Sequence, residues 1–126
     1  MKIMSDIIPY LDYWQKRQQE QQLRHQKIAQ KARENLVPII DYLIQNFKIK
    51  RIILFGSLVK GNFCESSDID LAVEGIPSAQ YFQVLAKVNF MSDRAIDLKP
   101  LESLDTHFLN RVLQTGECLY ASDIGQ

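Results

Sequence analysis

The sequence predicts an α/β (α+β) fold: a small mixed β-sheet with helices packed mainly on one side, preceded by a long polar N-terminal helix. Three observations predict it. At Lys50 the apolar spacing changes from the helical interval to short strand-like runs. Four such runs follow, separated by Gly/Pro punctuation and two helical patterns. The 126 residues suit one domain rather than two.

Residues 10–36 read as the polar helix, because Gln15–Gln30 is almost all Gln, Lys, Arg and Glu. Its apolar stripe is thin: Tyr13, Trp14, Leu23, Ile28, Ala29 and Ala32. Pro38 interrupts the pattern, and Asn35 could cap a new helix before it. Two helices or one kinked rod both satisfy the sequence at this point. Leu36, Ile40, Leu43, Ile44 and Phe47 then mark a core-facing helix.

Arg51–Phe55 is a β-branched apolar run closed by Gly56 and reads as a buried strand. Gly56–Ser67 is rich in turn residues. Asp68–Val73 alternates acid with apolar and reads as a second strand, ended by Gly75 and Pro77. Ser78–Phe90 is helical in its spacing. Arg94–Leu98 is a third strand closed by Pro100. Leu104–Gln114 is a helix stopped at Gly116, and Glu117–Tyr120 a last strand. The division is residues 1–35 as a polar helical extension, 36–120 as the domain, and 121–126 as a frayed tail.

The formal net charge is zero, yet residues 1–50 carry +4 and the remainder −4. The basic half reads as a solvated helix, so direct nucleic-acid binding is not expected. Cys64 and Cys118 form neither a metal-ligand spacing nor a disulfide framework. The start lacks a signal-peptide pattern, and no apolar run approaches the roughly 18 residues of a membrane span. The cytoplasm is the expected location, with no membrane partner.

The chemistry is concentrated in Leu54–Leu71, LFGSLVKGNFCESSDIDL. Residues two apart on a strand share a face, so Asp68 and Asp70 aim together while Ile69 and Leu71 point to the core. Two close carboxylates repel unless a cation sits between them. Mg²⁺ suits them, since it takes one or two carboxylates plus substrate phosphates. Asp97, flanked by Ile96 and Leu98, could join from the third strand. Three carboxylates can hold two Mg²⁺ ions about 4 Å apart for phosphoryl transfer. Gly56 lets a phosphate approach the backbone, Ser57 adds a hydroxyl, and Lys60 could neutralise a phosphate. A lone Gly-Ser is ordinarily a turn, and a lone Asp-x-Asp ordinarily a solvated edge. Their order on these elements favours the catalytic reading.

Gly56-Ser57, ten residues, then Asp68-Ile69-Asp70 resembles the GS-x10-DxD signature of the MNT-type minimal nucleotidyltransferases, within the DNA polymerase β-like nucleotidyltransferase superfamily. The resemblance covers roughly Leu36–Tyr120, including the Asp97 strand and the closing GECLY. It implies a polymerase β-like fold. It also implies that Asp68 and Asp70 bind both Mg²⁺ ions, that Asp97 binds one and helps activate a hydroxyl, and that Gly56 and Ser57 hold the β- and γ-phosphates of ATP. Many such proteins resemble antitoxins that add AMP to a tyrosine of a HEPN ribonuclease toxin. The resemblance therefore implies a toxin partner in a hetero-oligomer. The polar helix lies outside the family pattern; read from its residues, it either docks the partner, with Tyr13 and Trp14 as anchors, or packs on its own domain or a second copy.

Two other readings stand beside that one. The chain could neutralise a toxin by contact alone, or transfer a nucleotide to a small molecule. It does not read as the toxin: Arg17 and His25 are too far apart for the HEPN pair, and the chain has strands. No motif specifies the nucleotide base.

Overall fold

A computed structural model describes residues 2–122, with side chains from Ile7 onward. Most of the expected tail, residues 123–126, lies outside the described residues. Four strands form one mixed sheet: β1 (Arg51–Phe55), β2 (Ile69–Glu74), β3 (Ile96–Pro100) and β4 (Glu117–Ala121). Their order is β3-β2-β1-β4. β1 runs antiparallel to β2 and β4, while β2 and β3 are parallel. A parallel neighbour needs a crossover, and the chain supplies it through α3 (Tyr81–Met91).

The helical half contains one element rather than two. α1 runs unbroken from Lys2 to Asn46 with Pro9 and Pro38 inside it. Asn35 therefore caps nothing. Proline removes one backbone hydrogen bond and crowds the preceding turn. Pro38 lies on the exposed face, while Ala32, Leu36, Ile39 and Leu43 are buried on either side of it. Packing of that face carries the helix through the proline.

Alternation on the strands sorts the core into two layers. Ile52, Leu54, Ile69, Leu71, Val73, Ile96 and Leu98 face one side and meet the buried stripe of α1, Leu58 of α2 (Ser57–Lys60) and Val84 and Val88 of α3. Ile53 and Ala72 face the other side, under Val112 of α4 (Thr106–Thr115). The helices thus lie mainly on one side, with α4 alone opposite. Asp105 caps α4 by accepting from the Phe108 N–H at 2.9 Å.

Several boundaries shift from those expected. β2 starts one residue later than Asp68, and β3 spans Ile96–Pro100 rather than Arg94–Leu98. Ser78–Gln80 is a 3-10 turn before α3, and α4 begins at Thr106. Pro100 ends an edge strand, where its missing N–H is harmless.

The edge strand β3 is fastened from α3. Asn89 donates through Nδ2 to the Ile96 carbonyl at 3.1 Å and accepts from the Ile96 N–H at 2.9 Å. The Tyr81 hydroxyl donates to the Leu98 carbonyl. These bonds bracket Asp97. Replacing Asn89 by Ala should cost roughly 1–3 kcal/mol, because the Ile96 backbone loses both partners. A lower midpoint in urea unfolding checks this.

Candidate active site

The site begins where β1 turns into α2. Gly56 stands at φ 79°, ψ −149°, in the region that favours glycine. A Cβ there would lie 2.2 Å from Oδ2 of Asp70. Only hydrogen fits, so the backbone of the turn rests directly against a carboxylate. Ser57 opens α2 beside it, and Gly61 closes α2 in the left-handed conformation at φ 86°.

The sheet then sets the carboxylates. In the parallel β2–β3 register, Asp70 is opposite Asp97 and Leu71 opposite Leu98. Register partners share a face, so both carboxylates emerge on the α4 side while Leu71 and Leu98 fill the main core. Asp70 is also the cross-strand partner of Phe55, whose ring meets Phe108 edge-on at 5.7 Å. Asp70 is half-buried, whereas Asp68 and Asp97 are exposed.

Burial, then the charges of Asp97 and Asp68, push the Asp70 carboxyl above the ordinary carboxylate range. Lys99 and Lys60 partly offset them. Asp70 thus feels the charges of both other acids, which places the three carboxylates around one site. Asp68 joins it from the loop end just before β2 and not, as expected, from within the strand. Lys99 pairs with Asp97 at 3.4 Å.

The donor set is all carboxylate, which suits a hard cation such as Mg²⁺. Among the described residues no three acidic, imidazole or thiol groups are gathered closely enough to hold a metal unaided.

Three features escaped the sequence reading. Lys99 shares the face of Asp97 two residues on, a signal visible in the strand alternation. The Cys64 thiol is lowered to about 7, chiefly by hydrogen bonding to Ser66 and then to Ser67. Its Sγ lies 3.3 Å from the Ser66 hydroxyl. Finally, Gln22, His25, Gln26 and Ala29 of α1 face Gly61 and Phe63 across a groove of about 380 Å³. No local motif announces that groove.

Known proteins resemble this chain in sequence and fold. The family model described as "Polymerase beta, Nucleotidyltransferase" matches residues 38–124. A protein of Methanocaldococcus jannaschii, whose name gives protein adenylyltransferase as its assigned but unproven activity, is 31% identical over 80 residues. The match spans 58% of this chain and 80% of that protein. One solved relative, a chain of a toxin–antitoxin complex crystallised with AMP-PNP, is 30% identical with a TM-score of 0.61. It covers 69% of this chain and 73% of its own. Another, from the toxin–antitoxin complex MntA-HepT, is 27% identical with a TM-score of 0.58, covering 74% and 75%. No described helix is long and apolar enough to cross a membrane.

The raised Asp70 carboxyl has a definite sign. A carboxyl raised in the folded state favours its protonated form, so ionised Asp70 weakens the fold at neutral pH. The penalty disappears as pH falls below the ordinary carboxylate range. Asp70→Asn should therefore raise the Tm of the metal-free protein at pH 7, with the gain shrinking toward pH 4. Thermal scans in a chelator across that range check it.

Proposed function

We propose that this chain, which belongs to the polymerase β nucleotidyltransferase family as an MNT-type minimal nucleotidyltransferase, transfers AMP from ATP to a tyrosine hydroxyl of a partner HEPN ribonuclease toxin. It thereby serves as the antitoxin of the pair, in the cytoplasm, where ATP is plentiful. The observation that carries this reading is the electrostatic grouping of Asp68, Asp70 and Asp97 beside the Gly56 turn. The likeness to a toxin–antitoxin chain crystallised with AMP-PNP supports the nucleotide and the partner class.

Each residue has a role in that reading. Gly56 admits the β- and γ-phosphates close to the backbone, and the Ser57 hydroxyl and the first N–H groups of α2 hold them. Lys60 offsets phosphate charge. Asp68, Asp70 and Asp97 would hold the nucleotide's divalent ions, two Mg²⁺, with Asp97 serving one of them. Mg²⁺, when bound, neutralises the phosphates and the charge that develops on them. The tyrosine oxygen attacks the α-phosphorus, the bond to the β-phosphate oxygen breaks, and pyrophosphate leaves. Asp97 helps remove the hydroxyl proton, as the base or through the ion it would hold. Alignment and charge neutralisation supply most of the rate.

Docking falls to the N-terminal part of α1. The helix from residue 2 to residue 27 extends about 39 Å; among its described side chains Gln22, His25 and Gln26 line the groove opposite Phe63, and the main core is joined from Ile28 onward. Ile7, Leu11 and Trp14 continue the same helical face as Ala32, Leu36 and Leu43, yet each is at least 44% exposed. Tyr13 packs edge-on against Trp14. The part of the 1–35 extension before Ile28 thus acts as the partner's handle, while residues 36–120 form the catalytic domain against which its end packs.

Incubating a HEPN toxin with this chain, Mg²⁺ and ATP should add one or more AMP groups to the toxin by mass spectrometry. Asp68→Ala should slow that gain by more than roughly 100-fold, beyond the usual cost of an outer-shell change. A silenced complex with no mass gain would mean neutralisation by contact instead. Deleting residues 1–20, which stops short of the packed Ile28 and Ala29, should leave Tm nearly unchanged and weaken toxin binding. Titration calorimetry against the toxin distinguishes these, since unchanged affinity excludes the docking role.

A further inference from the structure

Asp68 is the one member of the acidic group that no strand holds. It is exposed and sits where the Gly61–Ser67 loop meets β2. Its flanking peptides are nevertheless anchored, and both anchors come from two consecutive residues. On one side, Nη1 of Arg94 donates to the carbonyls of Ser67 at 3.2 Å, Glu65 at 2.7 Å and Cys64 at 3.3 Å. On the other side, the Ile69 N–H donates to the Ala95 carbonyl at 2.9 Å.

The anchor is itself rigid. The Arg94 guanidinium lies 4.9 Å from the ring centre of Phe63, which is 1% exposed. The Ser92 hydroxyl donates to the Arg94 carbonyl at 2.6 Å, and the Arg94 N–H donates back to that oxygen at 3.1 Å. Within the loop, the Ser67 N–H donates to the Cys64 carbonyl, and the Ser67 hydroxyl accepts from the Cys64 N–H, each at 3.0 Å. From Ala95 the chain runs directly into β3 and reaches Asp97 two residues later.

We propose that Arg94 is a positioning residue for the nucleotide–metal site, fixing Asp68 relative to Asp97 through the loop carbonyls. The inference rests on the transferase reading of the site. Arginine suits the task better than lysine. Its guanidinium reaches the carbonyl cluster through Nη1 while its central carbon sits over the Phe63 ring, and a compact ammonium at the end of a flexible stem does not span both at once. A loop anchor serving stability alone would change the melting temperature and nothing else. A positioning residue changes how readily the site takes up its cation.

The test uses the full chain and needs no acceptor. Binding of a non-hydrolysable ATP analogue is titrated at stepped Mg²⁺ concentrations for wild type, Arg94→Ala and Arg94→Lys, with Tm measured in chelator. Arg94→Ala should raise the Mg²⁺ concentration for half-maximal binding by about 10-fold or more, the range seen when outer-shell partners are lost. Arg94→Lys should show a smaller rise in the same direction with Tm near wild type. If Arg94→Ala does not fold, Arg94→Lys decides alone. A wild-type Mg²⁺ requirement in the folded variants overturns the inference, whatever their Tm. Wild-type protein that binds the analogue without regard to Mg²⁺ overturns the transferase reading, and the inference with it.

Discussion

The half-buried Asp70 carboxylate, set beside Asp97, is the constraint around which the rest of the molecule is arranged. The parallel β2–β3 register places two carboxylates on neighbouring strands, on one face. Sheet neighbours lie only about 4.8 Å apart. Such a pairing works against the fold, and the strands stay together because the opposite face is strongly apolar. Ile69, Leu71, Ile96 and Leu98 are all nearly or fully buried beneath the helices. The dry face holds the strands in register, and the wet face carries the charge. A protein selected only for stability would not place an acid at Asp70, which is why the pair points to function.

Much of this was legible in the sequence, and the reasons are local. Strands β1 to β4 carry their own alternation, and the spacing from Gly56-Ser57 to Asp68 and Asp70 survives as a literal string. The missed details are tertiary. Strand ends moved by one or two residues because pairing, and not composition, decides where a ladder stops. Helix α1 passed through Pro38 because core packing on its buried side outweighs the local penalty. Arg94 offered no signal, since its partners lie 27 to 30 residues away in a loop without regular structure.

The acidic group is also built from unequal parts. Asp70 and Asp97 are set by the sheet, the stiffest part of the fold, and Gly56 fits tightly against the first of them. Asp68 depends on a loop, and the described side chains of α1 before Ile28 lie outside the main core cluster. Support from the sheet is therefore greatest at the β2–β3 pair and passes to loop and helix contacts away from it.

The Asp97–Lys99 contact gives the resting site a tethered counter-ion. Part of the negative charge is already answered by the protein's own ammonium group, so an incoming cation meets a competitor and not a bare well of potential. On the transferase reading, a nucleotide arriving with its cation would supply both a replacement for the lysine at Asp97 and an anion for the released ammonium, whereas a cation alone would supply only the first.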